Sequence, residues 1–457
     1  MALIVQKFGG SSVGSIDRIQ HVADRVAGRA QGGDSLVVVV SAMRGETDRL
    51  YGLAHQVTDE PAPREVDALM STGEQVSAAL LAIALKSRGV AARSMSGAQM
   101  GIETDGVFSR ARIRTMNRAR VDAALERGEV VVATGFQGID RDGNVTTLGR
   151  GGSDTSAVAM AAALEADECE IYTDVLGVYT ADPNLCPDAS KLEVIAFEEM
   201  MEMASQGSKV LQIRSVELAM NHRVPLRVRS TFSDDPGTLV TEESEDIERL
   251  VVRGVSHNSN EIKVTVRAVP DTPGVASKLF TALAEAAINV DVIVQNKSLE
   301  GITDLSFTVE RTDQTQTERI ALEFNSEVGG GGVEVDPNIA KVSVVGVGMR
   351  AHPGVAAATF RALSDADVNI QMISTSEIKI TCVVSQSEVA AAAQALHRTF
   401  ELHRGGIRAK AEPASKRAAS GSAKSRSAKS TTSGRSKKTR TKKKTSKKKT
   451  SVTRRAS

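Results

Sequence analysis

The chain has 457 residues, 41% hydrophobic and 25% charged, which is typical of a globular protein with two or three domains. The net charge of +1 hides an asymmetry, because residues 414–457 hold 17 Lys or Arg and no acidic residue, leaving 40 basic and 56 acidic residues elsewhere. An acidic body argues against a general nucleic-acid-binding protein. Three widely separated cysteines, Cys169, Cys186 and Cys382, argue against both a disulfide framework and a zinc site.

No targeting or membrane segment is predicted. The opening MALIVQKFGG is too short for a signal peptide and lacks a small-residue cleavage site. No stretch approaches the roughly 20 apolar residues that a membrane span needs. We therefore expect a cytoplasmic protein that makes no membrane contact.

The first 230 residues alternate strand-like and helix-like segments, which predicts an α/β domain with a mostly parallel sheet. The strand-like segments are β-branched and nearly free of polar residues, as in strands covered on both faces; they lie at 2–8, 35–40, 129–136 and 169–175. The helix-like segments lie at 15–29, 73–89 and 154–166. Ligands in such folds bind at the carboxyl ends of the strands.

The turn KFGGSSVGS follows the first predicted strand directly. Gly9 and Gly10 let the backbone approach a phosphate, and the ammonium of Lys7 could reach a phosphoryl group in transfer. The spacing of Gly9 and Gly14 resembles a Walker motif, but Ser15 stands where its lysine belongs, which excludes a P-loop NTPase. A plain strand-to-helix turn is the alternative.

A second glycine-rich turn, TTLGRGGSDTSA at 146–157, also lies between a strand and a helix. Its glycines can form an anion-binding nest, and Arg150 offers a planar fork for a carboxylate or a phosphate. Ser153 and Asp154 lie at the predicted helix start, where ordinary capping is the alternative. Two such turns in one domain favour phosphate chemistry more strongly than one does.

Three further segments carry polar residues near predicted element ends. In YTDVLGVYTADP at 172–183, Asp174 could hold Mg²⁺ or orient a lysine and Tyr179 could stack on a purine, although simple packing is the commoner use of a tyrosine. In STGEQ at 71–75, Glu74 lies at a helix start, where the dipole favours a carboxylate in any case. SAMRGETD at 41–48 and SKVLQ at 208–212 complete the set.

An internal repeat follows. PGVASKLFTALAEAAINVDVI from Pro273 and PGVAAATFRALSDADVNIQMI from Pro353 align at a constant offset of 80 residues. Each copy is preceded by a strand and followed by two more strands and a helix, which predicts a ferredoxin-like split βαβ module. From 414 onward the composition predicts a disordered tail, with non-specific polyanion contact as its functional alternative.

Together these motifs resemble the aspartate kinase branch of the amino-acid kinase family, over about residues 3–405. The resemblance implies a three-layer α/β kinase domain at 1–245, ACT domains at 246–337 and 338–410, and a disordered tail at 411–457. The ACT domains of this family interlock, so RLVVRGVS at 249–256 is expected to serve the second one. The resemblance also implies ATP-dependent phosphorylation of the L-aspartate β-carboxylate with Mg²⁺, and feedback by lysine or threonine.

The resemblance assigns roles residue by residue. Lys7 and Asp154 would carry the phosphoryl transfer. The residues expected to bind ATP are Lys7, Phe8, Gly9, Gly10, Ser41, Thr173, Asp174, Tyr179, Asp182, Lys209 and Val210. Those expected to bind aspartate are Thr47, Glu74, Arg150, Gly151, Gly152 and Ser153. Those expected to bind effectors are Asp271, Gly274, Asn289, Asp291, Gln295, Asn369 and Ile370.

The two effector sites are not chemically equivalent, because Gln371 stands in the second copy where Asp291 stands in the first. The second copy is therefore expected either to bind differently or only to pack against a partner ACT domain in a homo-oligomer. Three other functions compete with the main hypothesis. They are a kinase of the same fold acting on glutamate, acetylglutamate or a nucleotide, an NAD-linked dehydrogenase with ACT regulation, and an amino-acid sensor without catalysis.

Overall fold

A computed structural model describes residues 2–207, 210–243, 250–296 and 301–407. Lys209 and the basic tail at 411–457 lie outside the described residues. The strands of the first half are β1 Leu3–Phe8, β2 Ser35–Val40, β3 Ala92–Met95, β4 Ile102–Thr104, β5 Ile113–Met116, β6 Val130–Thr134, β7 Gln137–Ile139, β8 Val145–Thr147, β9 Glu168–Thr173, β10 Val194–Ala196, β11 Leu226–Ser230 and β12 Thr238–Thr241. The helices are α1 Ile16–Gln31, α2 Glu46–Val57, α3 Pro63–Met70, α4 Thr72–Lys86, α5 Ala119–Glu126, α6 Gly152–Leu164, α7 Phe197–Ser205 and α8 Ile213–His222.

The central sheet of the first half has the strand order β10-β12-β11-β9-β1-β2-β6-β3. Its strands from β11 to β3 run parallel to one another, while β12 is antiparallel to β11 and parallel to β10. Because β9, β1, β2 and β6 are adjacent and parallel, their carboxyl ends lie side by side at one edge. The predicted mostly parallel sheet is confirmed.

Helices cover both faces of this sheet. Along β2, the side chains of Leu36, Val38 and Val40 pack in the core that contains α1 and α4. Val37 and Val39 of the same strand pack in the opposite core, which contains α6 and α8. Strand side chains alternate between the two faces, so an unbroken β-branched run is what two buried faces require. The three layers predicted from the sequence follow from this pattern.

A small second sheet, in the order β5-β4-β7-β8, carries the chain into the second glycine turn. Asp67 of α3 anchors it, since this fully buried carboxylate accepts hydrogen bonds from the backbone and side chain of Ser109 and of Thr147. Leu148 then donates its backbone N–H to the Phe136 carbonyl at 2.8 Å. The sequence patterns did not predict this sheet, because its strands are only three or four residues long.

The second half contains the two copies of the repeat. Its strands are β13 Gly254–Asn258, β14 Glu261–Pro270, β15 Val290–Gln295, β16 Ile302–Glu310, β17 Gly332–Asp336, β18 Ile339–Val345, β19 Met372–Thr375 and β20 Lys379–Ser385. Its α-helices are α9 Val275–Glu285, α10 Gln314–Val328, α11 Val355–Asp365 and α12 Val389–Thr399. Short 3₁₀ turns lie at Arg311–Asp313, Val347–Ala351, Gln386–Glu388 and Leu402–Arg404.

Each copy builds a four-stranded antiparallel sheet covered by two helices. The first sheet has the order β15-β16-β14-β17 and packs on α9 and α10. The second has the order β13-β18-β20-β19 and packs on α11 and α12. The strand β13 precedes the first copy in sequence but pairs with β18 of the second, from Gly254 opposite Val345 to Asn258 opposite Lys341. The first module is therefore inserted into the second, as interlocked ACT folds require.

One predicted strand is shorter than expected. The run at 341–349 was predicted as a single strand, but β18 ends at Val345 and Val347–Ala351 forms a 3₁₀ turn. The reason is a contact from the first half of the chain, since the backbone N–H of Val347 donates to the buried Glu199 carboxylate at 3.0 Å. This contact pairs the Val347 N–H outside the sheet, so the residue makes no ladder hydrogen bond through that donor.

One helical stretch is long and apolar enough to cross a membrane by length and composition alone. It is Pro63–Lys86, which joins α3 and α4 over 24 residues, and its most apolar 18-residue window has a mean hydropathy of 1.4. Half of that window is buried inside the protein, where α4 packs against α1 and the central sheet. Length and hydropathy alone do not distinguish a membrane span from a core helix, and the packing of α4 accounts for its buried apolar residues.

Candidate active site

The carboxyl ends of β1, β2, β6 and β9 form one polar edge, and close backbone contacts join their loops. Ser41 donates its backbone N–H to the Phe8 carbonyl at 3.1 Å, and Gly135 donates to the Val40 carbonyl at 2.9 Å. A Cβ at Gly10 would lie only 3.0 Å from the Ala42 carbonyl. Glycine at position 10 therefore allows the turn after β1 to approach the turn after β2.

Lys7 and Asp154 meet at this edge. The Lys7 Nζ lies 2.6 Å from the Asp154 Oδ1, and the two side chains are 13% and 10% exposed. Lys7 belongs to β1, while Asp154 lies in the first turn of α6, so the ion pair joins the two glycine turns found in the sequence. A largely desolvated ammonium held at a helix N-terminus is well suited to stabilise developing phosphoryl charge.

The second glycine turn contains left-handed backbone, which is unfavourable for residues that have a Cβ. Gly149 and Gly151 have φ values of +75° and +70°. A Cβ at Gly151 would also lie 2.0 Å from the Gln212 Cγ. Gly135 has a similar role across the cleft, because a Cβ there would lie 2.6 Å from the Ser153 Oγ. These contacts fix Ser153 and Asp154 at the start of α6, where both are buried.

Glu74 places a buried carboxylate beside the same edge. It lies in the first turn of α4, is 3% exposed, and its Oε1 accepts the Ala42 backbone N–H at 3.0 Å. Within the described part of the chain, its Oε2 is buried without a hydrogen-bond partner. Burial raises the pKa of Glu74 to about 7. An unpartnered carboxylate oxygen in a buried position is a site that a ligand ammonium would satisfy.

Sequence reasoning did not single out Thr134 or Gln212. Thr134 ends β6, and its hydroxyl oxygen is buried with no hydrogen-bond partner in the described ranges. Gln212, the residue before α8, lies against Gly151. Thr134 could have been identified from its position at the end of a predicted strand, whereas no local sequence pattern indicated that Gln212 contacts the second glycine turn.

Several residues assigned to substrate and nucleotide lie around this edge with varied exposure. Ser41, Thr47, Gly151 and Thr173 are half-buried, Gly152 is buried, and Arg150 and Asp174 are exposed. The Thr173 hydroxyl donates to the Asp174 carboxylate at 3.1 Å, directly after β9. Arg150 lies between the two left-handed glycines, so its side chain starts from a constrained backbone.

Other residues assigned to the nucleotide have clear structural roles. Phe8 is fully buried and stacks on Tyr172 with ring centroids 4.5 Å apart, so its side chain belongs to the core. Tyr179 is half-buried and pairs with Lys191 through a backbone bridge. Asp182 forms a turn, because its Oδ1 accepts the Asn184 backbone N–H at 2.8 Å. Val210 packs against the core, and Lys209 lies outside the described residues.

The residues assigned to effectors differ in their exposure and in their contacts. Asp271, Gly274, Asn289 and Gln295 are exposed, and Gly274 starts α9 with a φ of +94°. Asp291 instead pairs with the Lys341 ammonium of the second copy, which also contacts the Glu261 carboxylate. Asn369 and Ile370 of the second copy line a surface hollow with Phe360, Ser364, Asp367 and Val368.

Buried polar contacts join the regulatory modules to helix α7. Glu199 of α7 is fully buried and accepts from the Arg253 Nε at 3.0 Å, in addition to its contact with the Val347 backbone. Burial raises the pKa of Glu199 although the Arg253 charge opposes this. Lys379 and Glu202 form a second ion pair at 2.8 Å. These contacts attach α7 to the second module.

Comparison with known proteins matches these two halves separately. Residues 2–230 match the profile of the Amino acid kinase family, and residues 264–329 and 342–400 match two ACT domain profiles. Among curated relatives, the aspartate kinase of Pseudomonas putida is 54% identical over 403 residues, covering 88% of this chain and 98% of the relative. The aspartokinase of Mycolicibacterium smegmatis is 49% identical over 407 residues, covering 88% and 97%.

Two solved structures of E. coli aspartokinase III have the same overall fold. The complex with aspartate and ADP, described as the R-state, has a TM-score of 0.73 at 27% identity, covering 87% of this chain and 100% of that one. The complex with lysine and aspartate, described as the T-state, has a TM-score of 0.68 at 27% identity, covering 87% and 99%.

Proposed function

We propose a specific reaction for this chain, which belongs to the aspartate kinases of the amino acid kinase family. The reaction is transfer of the γ-phosphoryl group of ATP to the β-carboxylate of L-aspartate. The product would be 4-phospho-L-aspartate, and the reaction the first step of lysine, threonine and methionine biosynthesis. The observation that carries this proposal is the Lys7–Asp154 ion pair, at 2.6 Å, on the same strand edge as the buried carboxylate of Glu74.

The chemistry requires two anions to approach each other. The aspartate carboxylate is ionised at neutral pH, so it needs no general base, and positioning and charge neutralisation provide most of the catalysis. Lys7 supplies a positive charge for the transferring phosphoryl group, and Asp154 holds that ammonium in place. Glu74 would bind the α-ammonium of aspartate, and the exposed Arg150 would bind a carboxylate.

Thr47 and the turn Gly151–Ser153 complete the proposed aspartate site. The nucleotide would lie along the loops after β1, β2 and β9. Gly9, Gly10 and Ser41 provide backbone at the first two of these loops, and Thr173, Asp174, Tyr179 and Asp182 lie on the third. The complex of E. coli aspartokinase III with aspartate and ADP supports this choice of ligands.

Mg²⁺ bound to the nucleotide would neutralise phosphate charge. The exposed carboxylate of Asp174 is an oxygen donor of the kind that Mg²⁺ prefers, whereas the Asp154 carboxylate is already paired with Lys7. Asp174 is therefore the protein group that we propose for contact with the hydrated ion.

The enzyme is regulated through its ACT domains, and we propose lysine, threonine or both as the effectors. E. coli aspartokinase III has been crystallised with lysine, which supports this class of ligand. The proposed site in the first copy comprises Asp271, Gly274, Asn289, Asp291 and Gln295, and the second copy offers Asn369 and Ile370. An effector ammonium that binds Asp291 would compete with Lys341 for that carboxylate.

We retain the boundaries 1–245, 246–337 and 338–410 as the proposed domains, with β13 serving the sheet of the second ACT domain. A homo-oligomer formed through the ACT domains and a cytoplasmic location are part of the same proposal. Weak polyanion contact by the basic tail at 411–457 also remains a proposal.

The direct test is an ATP-dependent aspartyl phosphate assay with hydroxylamine trapping, run with and without lysine and threonine. We expect hydroxamate formation with aspartate and inhibition by at least one of the two amino acids. ATP consumption with glutamate or acetylglutamate, but none with aspartate, would contradict the proposed substrate. Effector binding with no turnover of any of these acids would indicate a sensor, and hydride transfer from a nicotinamide cofactor would indicate a dehydrogenase.

A further inference from the structure

Three side chains with metal-binding atoms meet between the loop after β9 and the second regulatory module. Asp188 lies in the segment between β9 and β10, His397 in the last turn of α12, and His403 in the 3₁₀ turn Leu402–Arg404. One carboxylate oxygen and one ring nitrogen of each histidine all lie within 4.8 Å of one another. The His397 Nδ1 lies 3.7 Å from the Asp188 Oδ1.

Among the described residues, the Nδ1 of His397 has no hydrogen-bond partner. Its Nε2 lies 3.0 Å from the Thr180 hydroxyl, which also accepts the Ser190 backbone N–H at 3.0 Å. The Thr180 hydroxyl can pair with either tautomer of the ring; in the tautomer whose Nε2–H donates to it, the Nδ1 carries the lone pair that a metal ligand needs. The Asp188 oxygen at 3.7 Å is too distant from the Nδ1 for a hydrogen bond.

His403 presents the same feature. The Nδ1 atoms of His397 and His403 are both buried without a hydrogen-bond partner among the described residues, and His397 as a whole is fully buried. A buried ring nitrogen without a hydrogen-bond partner destabilises the folded protein. Both histidines lie beside the Asp188 carboxylate, and a cation bound among the three side chains would account for their unpartnered nitrogens.

We propose that Asp188, His397 and His403 form a site for a divalent transition metal of the zinc class. Two imidazole nitrogens and a carboxylate are a common ligand set for zinc, with water completing the coordination. The Thr180 hydroxyl would orient His397 through its contact with the Nε2, since the second ring nitrogen of a metal-bound histidine usually has a hydrogen-bond partner. The three cysteines, whose spacing argued against zinc, have no part in this site.

The geometry permits coordination after small adjustments. Ligand atoms about 2.0–2.1 Å from zinc lie roughly 3.4 Å apart in a tetrahedron, so the present spacing must contract. Asp188 can supply that movement because its side chain is 50% exposed. The nearby positive charge of Arg398 opposes a cation at this position, and the Asp188 carboxylate favours one.

A metal at this position would connect the loop after β9 to the second regulatory module. Thr180 and Asp188 belong to that loop, and the Ser190 hydroxyl donates to the His403 carbonyl at 3.4 Å. Metal binding would therefore stabilise the contact between this loop and α12. The binding itself does not depend on the proposed kinase chemistry, so the two can be tested separately.

The test uses the full-length chain without a histidine tag. The protein is stripped with a chelator, incubated with ZnCl₂ in nucleotide-free buffer, desalted, and analysed for zinc by mass spectrometry. We expect about one zinc per chain in the wild type, and at least about tenfold less retained zinc in Asp188→Asn and in His403→Gln. His222→Gln is the matched control, because His222 is exposed at the end of α8 and outside the site.

Cobalt substitution gives an independent readout, since CoCl₂ bound by nitrogen and oxygen ligands absorbs in the visible region. Absence of zinc from the reconstituted wild-type protein would overturn the proposal. Equal zinc content in the wild type, Asp188→Asn and His403→Gln would also overturn it, because the metal would then be adventitious. Both variants alter side chains that are at least partly exposed, so the test does not depend on replacing the fully buried His397.

Discussion

Asp291 and Gln371 occupy equivalent positions in the two copies of the repeat, and each accepts a hydrogen bond from a lysine of the other copy. Lys341 of β18 donates to Asp291, and Lys263 of β14 donates to Gln371. The two contacts are chemically unequal, because Lys341 is 1% exposed and also contacts Glu261, whereas the contact of Lys263 is exposed. Among the described residues, Lys341 therefore places a buried charge at the interface between the copies.

Replacement of Lys341 by Met is expected to destabilise the regulatory half. Glu261 would then be a buried carboxylate without its ammonium, which is unfavourable by about 3–5 kcal/mol. Lys263→Met is the matched control and is expected to change stability by about 1 kcal/mol or less. Urea unfolding measures both, and the double variant Lys341→Met/Glu261→Gln should recover most of the loss. Equal effects of the two single variants would contradict this role for Lys341.

Removal of the Lys7 ammonium is expected to abolish most of the catalysis. Lys7→Ala should lower kcat by at least about 10²–10³-fold, because a preorganised positive charge at the transferring group is lost. Lys86→Ala is the control, since Lys86 is exposed at the end of α4. The aspartyl hydroxamate assay measures turnover. Unchanged kcat in Lys7→Ala would refute the central proposal.

Asp154→Asn should also lower kcat, because it releases the Lys7 ammonium from its 2.6 Å contact. If the two residues act as one unit, the double variant Lys7→Ala/Asp154→Asn will lose less activity than the product of the two single losses. Purely multiplicative losses would mean that the pair acts as two independent groups.

Aspartate binding should depend on pH through Glu74. The pKa of Glu74 is raised to about 7 in the ligand-free protein, and an ammonium binds only its ionised form. The KM for aspartate should therefore rise as pH falls below about 7. Glu74→Gln should raise this KM by about 10- to 100-fold and remove its pH dependence near neutrality. An unchanged pH profile in this variant would exclude Glu74 as the ammonium ligand.

Glu74 also gives a stability prediction: its ionisation, which favours aspartate binding, destabilises the ligand-free folded protein. Folding raises the pKa of Glu74 from its model-compound value of 4.5 to about 7, so its ionisation destabilises the folded state increasingly between these pH values and fully above about 7. Glu74→Gln should therefore stabilise the ligand-free protein above pH 7, by at most about 3 kcal/mol. Thermal unfolding at two pH values measures the effect, which should vanish near the lower pKa.

Gly151→Ala should disrupt the second glycine turn for two reasons, which are backbone strain and a clash between the new Cβ and Gln212. Gly128 provides the control, because its φ of +72° is nearly that of Gly151 at +70° and a Cβ there would meet nothing within 4 Å. Left-handed backbone is unfavourable for alanine by about 1–2 kcal/mol in both variants. Only Gly151→Ala also displaces Gln212, so only this variant should lose kcat/KM for aspartate, by at least about tenfold. Equal activity in both variants would argue against the turn as part of the site.

Local sequence patterns determined much of the architecture. The β-branched run at Ser35–Val40 predicted a strand buried on both faces, and the structure has β2 at the same residues. The glycines after β1 and before α6 indicated where backbone must turn sharply near an anion. The constant offset of the repeat predicted two related modules. These features are readable because strand burial, turns and duplication leave a periodic or local trace in the chain.

Tertiary structure decided which of these residues meet and in what environment. Lys7 and Asp154 form a pair only because β1 and the start of α6 converge at one edge of the sheet. Asp291, predicted for an effector, pairs with Lys341, and Phe8 lies in the core. The raised pKa of Glu74 reflects burial, and the early end of β18 reflects Glu199. Contacts between distant residues and the loss of water around a charge depend on the whole packed chain, which no short stretch of sequence records.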